Sequence, residues 1–132
     1  MRLLSGACVA IAIALMATCG GSSSPSTSPG GGGCTPSSAP ATLVIQNNTI
    51  CPSAITVTRG TQITIFNSDS REHEMTSDPH PEHTDCPEIN QIGFLTSGQS
   101  RQSGNLNIAR KCGLHDHRAA ETASLKATVT IQ

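Results

Sequence analysis

Near the C-terminus, the run Arg110-Lys111-Cys112-Gly113-Leu114-His115-Asp116-His117 gathers one thiol and two imidazoles between Cys112 and His117. A thiolate beside imidazoles suits a soft or borderline ion. Two histidines and a cysteine with a weak axial neighbour form the donor set of mononuclear electron-transfer copper. Zinc accepts the same donors, so the run indicates a metal loop without choosing the metal. A lone upstream imidazole, His73, follows an alternating stretch that ends at Phe66-Asn67. It supplies a second, distant segment from which a ligand can converge, and this favours copper.

Such donors must be held by regular elements, and the strand signals are short and clear. Leu43 and Ile45, Ile55 and Val57, and Ile63 and Ile65 are apolar at period two, as are Ala127, Val129 and Ile131 with Thr128 and Thr130 between them. That alternation describes strands with one buried and one wet face. Turn-forming residues stand at Asn47-Asn48, Arg59-Gly60, Ser97-Gly98 and Ser103-Gly104, where their conformational preferences break the strands. There is no Trp or Tyr, and Phe66 and Phe94 are the two aromatic residues, so the core must come from Ile, Val, Leu and Ala. No long amphipathic helical pattern competes. The expected fold is all-β, an antiparallel sandwich with Greek-key connections.

The N-terminal third has a different character. An apolar run from Val9 to Met16 follows Met1-Arg2-Leu3-Leu4; it is short for a bilayer span and reads as a secretory signal over residues 1–18. Met16-Ala17-Thr18-Cys19 resembles a bacterial lipoprotein cleavage box, which implies that Cys19 carries lipid and tethers an exported, periplasmic or outer-surface protein to a membrane. Residues 19–40 are nearly all Gly, Ser, Thr and Pro, the composition of a flexible linker. Cys34 interrupts it, either as an odd thiol or as a second anchor to the domain. Residues 41–132 suffice for one small domain, expected to be monomeric. A net charge of −1 gives no reason to expect a nucleic-acid partner.

The segment from about Ala41 to Gln132 resembles a cupredoxin, the superfamily of small copper β-sandwiches that includes plastocyanin and azurin. The marks are Ile45-Gln46-Asn47-Asn48, Pro52-Ser53-Ala54-Ile55-Thr56-Val57 with Gly60, Ile63-Thr64-Ile65-Phe66-Asn67, His73, the Gly98-Gln99-Ser100 turn, and Cys112 before the last strand. The resemblance implies bound copper, one-electron transfer to a redox partner protein, and His73 and Cys112 as ligands. The remaining imidazole is His115 at plastocyanin-like spacing or His117 at azurin-like spacing, with His115 closing the shorter turn. Relatives commonly place a Met just before the closing strand, where this chain has Leu125-Lys126-Ala127-Thr128-Val129. That leaves Leu125, Glu121 and Met75 for the axial position. Met75 is favoured, because in an extended segment it points to the same side as His73. A single small domain lacks the second copper constellation of multi-domain copper enzymes, so no enzymatic activity is expected.

Between Met75 and Pro87 the strand pattern breaks at Pro79, Pro81 and Pro87, which marks an exposed loop. His80, His83 and Cys86 recur there at steps of three, a second candidate metal site; the alternative is a surface loop pinned by a disulfide through Cys86. Outside the inner membrane free thiols pair unless a metal holds them. With Cys8 in the signal, Cys19 lipidated and Cys112 on copper, the natural bridge is Cys51–Cys86, leaving Cys34 odd. The surplus donors His80, His83, His115, His117 and Met75 support an alternative function, a copper carrier or buffer. A third arrangement bridges Cys86 to Cys112 and holds no metal.

Overall fold

A computed structural model describes residues 33–132; the expected signal peptide, the lipidation at Cys19 and the linker up to residue 32 lie outside the described residues. The strands are β1 (Thr42–Gln46), β2 (Thr49–Cys51), β3 (Ala54–Val57), β4 (Thr64–Asn67), β5 (His73–Ser77), β6 (Gly93–Leu95), β7 (Ser100–Gln102), β8 (Arg110–Asp116) and β9 (Lys126–Ile131). They form a four-stranded sheet in the order β2-β1-β4-β7 and a five-stranded sheet in the order β3-β9-β8-β5-β6. Their inner faces enclose a core of Leu43, Ile45, Ile63, Ile65, Met75, Leu95, Leu106, Leu114, Leu125, Val129 and Ile131, among others. Burying each large aliphatic side chain contributes about 1.5–3 kcal/mol relative to exposure. Phe66 stays half-buried and Phe94 is exposed, so the aliphatic core follows from the composition as expected.

Three of the four expected turns are present; Ser103-Gly104 is not a turn, because its N–H groups bond across to the Ile63 and Glu88 carbonyls. Asn47 and Asn48 join β1 to β2 with positive φ of 51° and 59°, a conformation that asparagine tolerates and two-residue hairpins require. Gly60 and Gly98 adopt positive φ at the next two.

The sheets are mixed, which corrects the purely antiparallel expectation. β1 runs parallel to β4, with Leu43 beside Ile65, and β3 runs parallel to β9, with Ile55 beside Val129. The chain leaves one sheet for the other five times, between β2 and β3, β3 and β4, β4 and β5, β6 and β7, and β7 and β8. A strand returning to a sheet therefore takes its direction from the crossing and not from a hairpin.

The five-stranded sheet positions the chemistry. Its register sets Cys112 opposite Val129, Leu114 opposite Ala127 and Met75 opposite Asp116, all toward the core. Gly113 opposite Thr128, and His115 opposite Lys126 and Thr76, belong to the outer face. Because alternate residues of a strand face opposite sides, Cys112 and His115 are separated by the sheet itself.

Candidate metal centre

Strand β8 and the turn that follows it supply the first two imidazoles. His115 is outward-facing and nearly fully buried. Asp116 points inward, accepting hydrogen bonds from the backbone N–H groups of Glu74 (3.2 Å) and Arg118 (3.1 Å). It thereby caps the 3-10 turn His117–Ala119 and returns His117 to the outer face, two positions after His115.

The other two imidazoles come from the loop after β5. Strand β5 runs through Ser77, so the loop starts at Asp78, later than the Met75 expected from the sequence. The loop is folded back on itself by His83 N–H to the Pro79 carbonyl (2.7 Å) and Asp85 N–H to the Asp78 carbonyl (2.8 Å), and is held to β8 by Asp78 N–H to the Gly113 carbonyl (3.0 Å). His83 has a φ of 55°, a left-handed conformation uncommon outside glycine. The Asn90 side chain donates to its carbonyl at 2.9 Å and helps to hold it there.

His80, His83, His115 and His117 thus converge. Ring centroids lie 4.9 Å apart for His83–His117, 5.0 Å for His80–His117 and 5.2 Å for His83–His115. One ring nitrogen from each falls within 4.8 Å of the others. With metal–nitrogen bonds of about 2.0–2.1 Å, nitrogens across an ion are up to roughly 4 Å apart, so a small contraction would seat one ion among all four. Neighbouring groups select the nitrogens. His83 Nδ1–H donates to the Ser77 carbonyl at 2.9 Å, leaving Nε2 for the centre, where it lies 3.0 Å from His117 Nδ1. His115 Nδ1 lies 2.5 Å from the Asp78 carboxylate. Orientation of ligand imidazoles by a carbonyl or carboxylate on the far nitrogen is the usual outer shell of a protein metal site. A cavity of about 280 Å³ opens beside the cluster, lined by Asp78, His80, His115, Glu121 and Lys126 among others.

The structure separates the other candidates from this centre. His73 is fully buried, with Nδ1 2.8 Å from Asp116 Oδ2 and Nε2 3.1 Å from Asp69 Oδ2. Both ring nitrogens are engaged by carboxylates, which leaves neither for a metal. Burial acts to raise the Asp69 carboxyl pKa, but the N–H groups of Asn48, His73 and Asn47 together outweigh it and leave the group below its ordinary value. Met75 is a core residue on the inner face, and so is Leu125, so neither reaches the outer cluster. Glu121 stands at the cavity rim. The expected Cys51–Cys86 bridge is replaced by two others, Cys34–Cys51 and Cys86–Cys112. Cys34 is thus an anchor and not an odd thiol, and Cys112, whose sulfur is bonded to Cys86 in the core, has no thiolate to offer.

The second candidate site at His80 and His83 and the loop at His115 and His117 are therefore one place. Four contributors were not expected from the sequence: Asp78, Gly113, Asn90 and the carbonyl of Ser77. The glycine carried a usable signal, since an isolated glycine within a strand often marks a close approach of another group.

No protein-family model matches the sequence, and no curated protein sequence does either. Solved structures do match. A purple cupredoxin from Nitrosopumilus maritimus is 17% identical with a TM-score of 0.55, over 70% of this chain and 99% of that one. A mutant plastocyanin of fern is 16% identical with a TM-score of 0.55, over 69% and 99%. The fold is that of a cupredoxin. A Cu-containing nitrite reductase from Thermus scotoductus also aligns, at 14% identity and a TM-score of 0.51, over 71% of this chain and 22% of that one, so the same scaffold occurs in an enzyme as well as in small cupredoxins.

Within this cupredoxin fold, a thiolate copper site built from His73 and Cys112 does not fit the residues present. Its sulfur is oxidised, its imidazole is paired at both nitrogens, and the remaining histidines lie across the sheet. The four-histidine cluster does fit a borderline metal ion, because it presents four imidazole nitrogens to one point, two of them on rings, His83 and His115, whose far nitrogens already meet a carbonyl and a carboxylate.

Proposed function

We propose that this cupredoxin binds copper through His80, His83, His115 and His117 and acts as an exported copper carrier or buffer. The observation that carries the reading is the convergence of four imidazoles on one point. Imidazole suits Cu, Zn, Ni and Fe, and among divalent first-row ions affinity for a given nitrogen site peaks at Cu(II). His80 is exposed, and His83 and His117 are half-buried, so an ion there is open to exchange. That favours delivery or storage over a shielded electron-transfer centre. The two disulfides support an oxidising, extracytoplasmic location; among the described residues, no helix is long and apolar enough to cross a membrane.

One-electron transfer with a partner protein at the same all-imidazole centre is the second reading. The rigidity of the ligand set favours it, since two ligands lie within or directly after β8 and two lie on a loop bonded to that strand. The chemistry drawn from the chain is binding alone, with no substrate-transforming group assigned.

Copper(II) titration with absorption and paramagnetic resonance spectroscopy tests the proposal. One equivalent should bind with weak visible absorption and nitrogen hyperfine structure, and replacing His115 and His117 together by Ala should abolish it. An intense thiolate-to-copper band would overturn the assignment in favour of a cysteine ligand. Reversible cycling between copper(I) and copper(II) without loss of the ion would favour electron transfer over transport.

A further inference from the structure

Strand β8 carries a glycine at an outer-face position, flanked by Cys112 and Leu114, where a side chain would ordinarily cover the sheet. The space over Gly113 is occupied by the carboxylate of Asp78. A Cβ built at Gly113 would collide with Asp78 Oδ2 and Cγ, closer than non-bonded carbon and oxygen atoms can approach. The same aspartate is fixed through its backbone, donating N–H to the Gly113 carbonyl at 3.0 Å and accepting from Asp85 N–H at 2.8 Å. Its other carboxylate oxygen, Oδ1, lies 2.5 Å from Nδ1 of His115. Nε2 of that ring meets the Thr76 hydroxyl at 3.4 Å, too long for a strong hydrogen bond.

From this geometry we infer that Asp78 is a positioning residue for the metal centre and that Gly113 is the position that admits it. The carboxylate holds the proton of His115 on Nδ1, commits Nε2 to the ion, and fixes the ring plane toward His80, His83 and His117. Negative charge behind the ring makes Nε2 a better donor and offsets part of the charge of a divalent cation, as carboxylate–histidine–metal relays do. His83 has a neutral counterpart in its hydrogen bond to the Ser77 carbonyl. The two rings therefore enter the site through the same nitrogen but with different basicity. A side chain at position 113 would push the carboxylate away and release the His115 ring.

The inference rests on the four-histidine reading, and its test separates the two. Copper(II) affinity is measured by competition titration, and the coordination geometry by paramagnetic resonance, on the wild type and on Asp78→Ala, Asp78→Asn and Gly113→Ala. Asp78→Ala should lower affinity by about 10–100-fold, the range typical of lost outer-shell partners, and should alter the resonance spectrum. Asp78→Asn, whose amide oxygen still accepts from Nδ1–H, should recover most of that loss. Gly113→Ala should match Asp78→Ala. Asp78 is partly exposed, so its variants keep the fold and decide the matter even if Gly113→Ala is unstable. Wild-type affinity and spectrum in Asp78→Ala would overturn the inference. An Asp78→Asn protein as weak as Asp78→Ala would also overturn it, by making the carboxylate a direct ligand. A wild type that binds no copper removes the metal reading itself.

Discussion

Cys86 is bonded to Cys112 in the core beneath the four-histidine cluster, with His83 three residues before one sulfur and His115 three residues after the other. The bridge cross-links the two segments that carry the four imidazoles. It sits on the core side of the sheet while the rings sit on the outer side, so it organises the site without touching it. The loop has a further hold on β8, an ion pair at 2.6 Å between Glu88 and Arg110.

Removing the bridge should therefore weaken metal binding as well as the fold. With a sequence separation of 26 between the cysteines, loop-closure entropy predicts a loss of about 3–4 kcal/mol of stability. Cys86→Ala with Cys112→Ala should lower the unfolding midpoint in denaturant. It should also lower copper(II) affinity by about 5–150-fold, the usual range of coupling between linked sites. The paired variant leaves no thiol in that region to bind copper in its own right. Unchanged affinity in a folded double variant would mean that the backbone contacts and the Glu88–Arg110 pair alone hold the site.

His73 should behave as a structural residue. His73→Asn leaves Asp116 and Asp69 without their shared partner and should cost roughly 3 kcal/mol, as expected when one member of a buried charged or hydrogen-bonded pair is removed. Copper stoichiometry and spectrum should stay as in the wild type. Met75→Leu should likewise leave the spectrum alone and change stability by less than about 1.5 kcal/mol, as for a volume-conserving core substitution. A spectral change in either variant would place the ion on the inner face.

Stability should fall at low pH through Asp69. Its carboxyl pKa is held below the ordinary 3.8, with donation from Asn48, His73 and Asn47 outweighing burial. A depressed native value means that the unfolded chain takes up the proton first as pH falls. The stabilisation is thus fully present above about pH 4–5 and is lost as pH drops through the native value. Asp69→Asn should lower stability at pH 6 and flatten the decline between pH 5 and pH 2, measured by urea unfolding at fixed ionic strength. An identical decline in the variant would assign the acid sensitivity to other groups.

The chain's alternating Ile, Val and Leu determined by themselves that strands would form, and Asn47-Asn48, Gly60 and Gly98 determined where they would turn, because period-two burial and positive-φ tolerance are local properties. The candidate ligands were legible too, since clustered imidazoles state their own ligand preference. What the tertiary structure decided was which of them meet. His73, Cys112 and His115 look like partners along the chain, yet the pleat puts Cys112 and His115 on opposite faces of β8, and His73 sits between the carboxylates of Asp116 and Asp69. Conversely, His80 and His83 stand far from His117 in sequence but are brought over it by a loop bonded to the same strand. Disulfide pairing was out of reach for the same reason. Which sulfurs approach depends on which sheet each segment joins after crossing the sandwich, and that choice is made by packing of the whole core and not by any local run of residues.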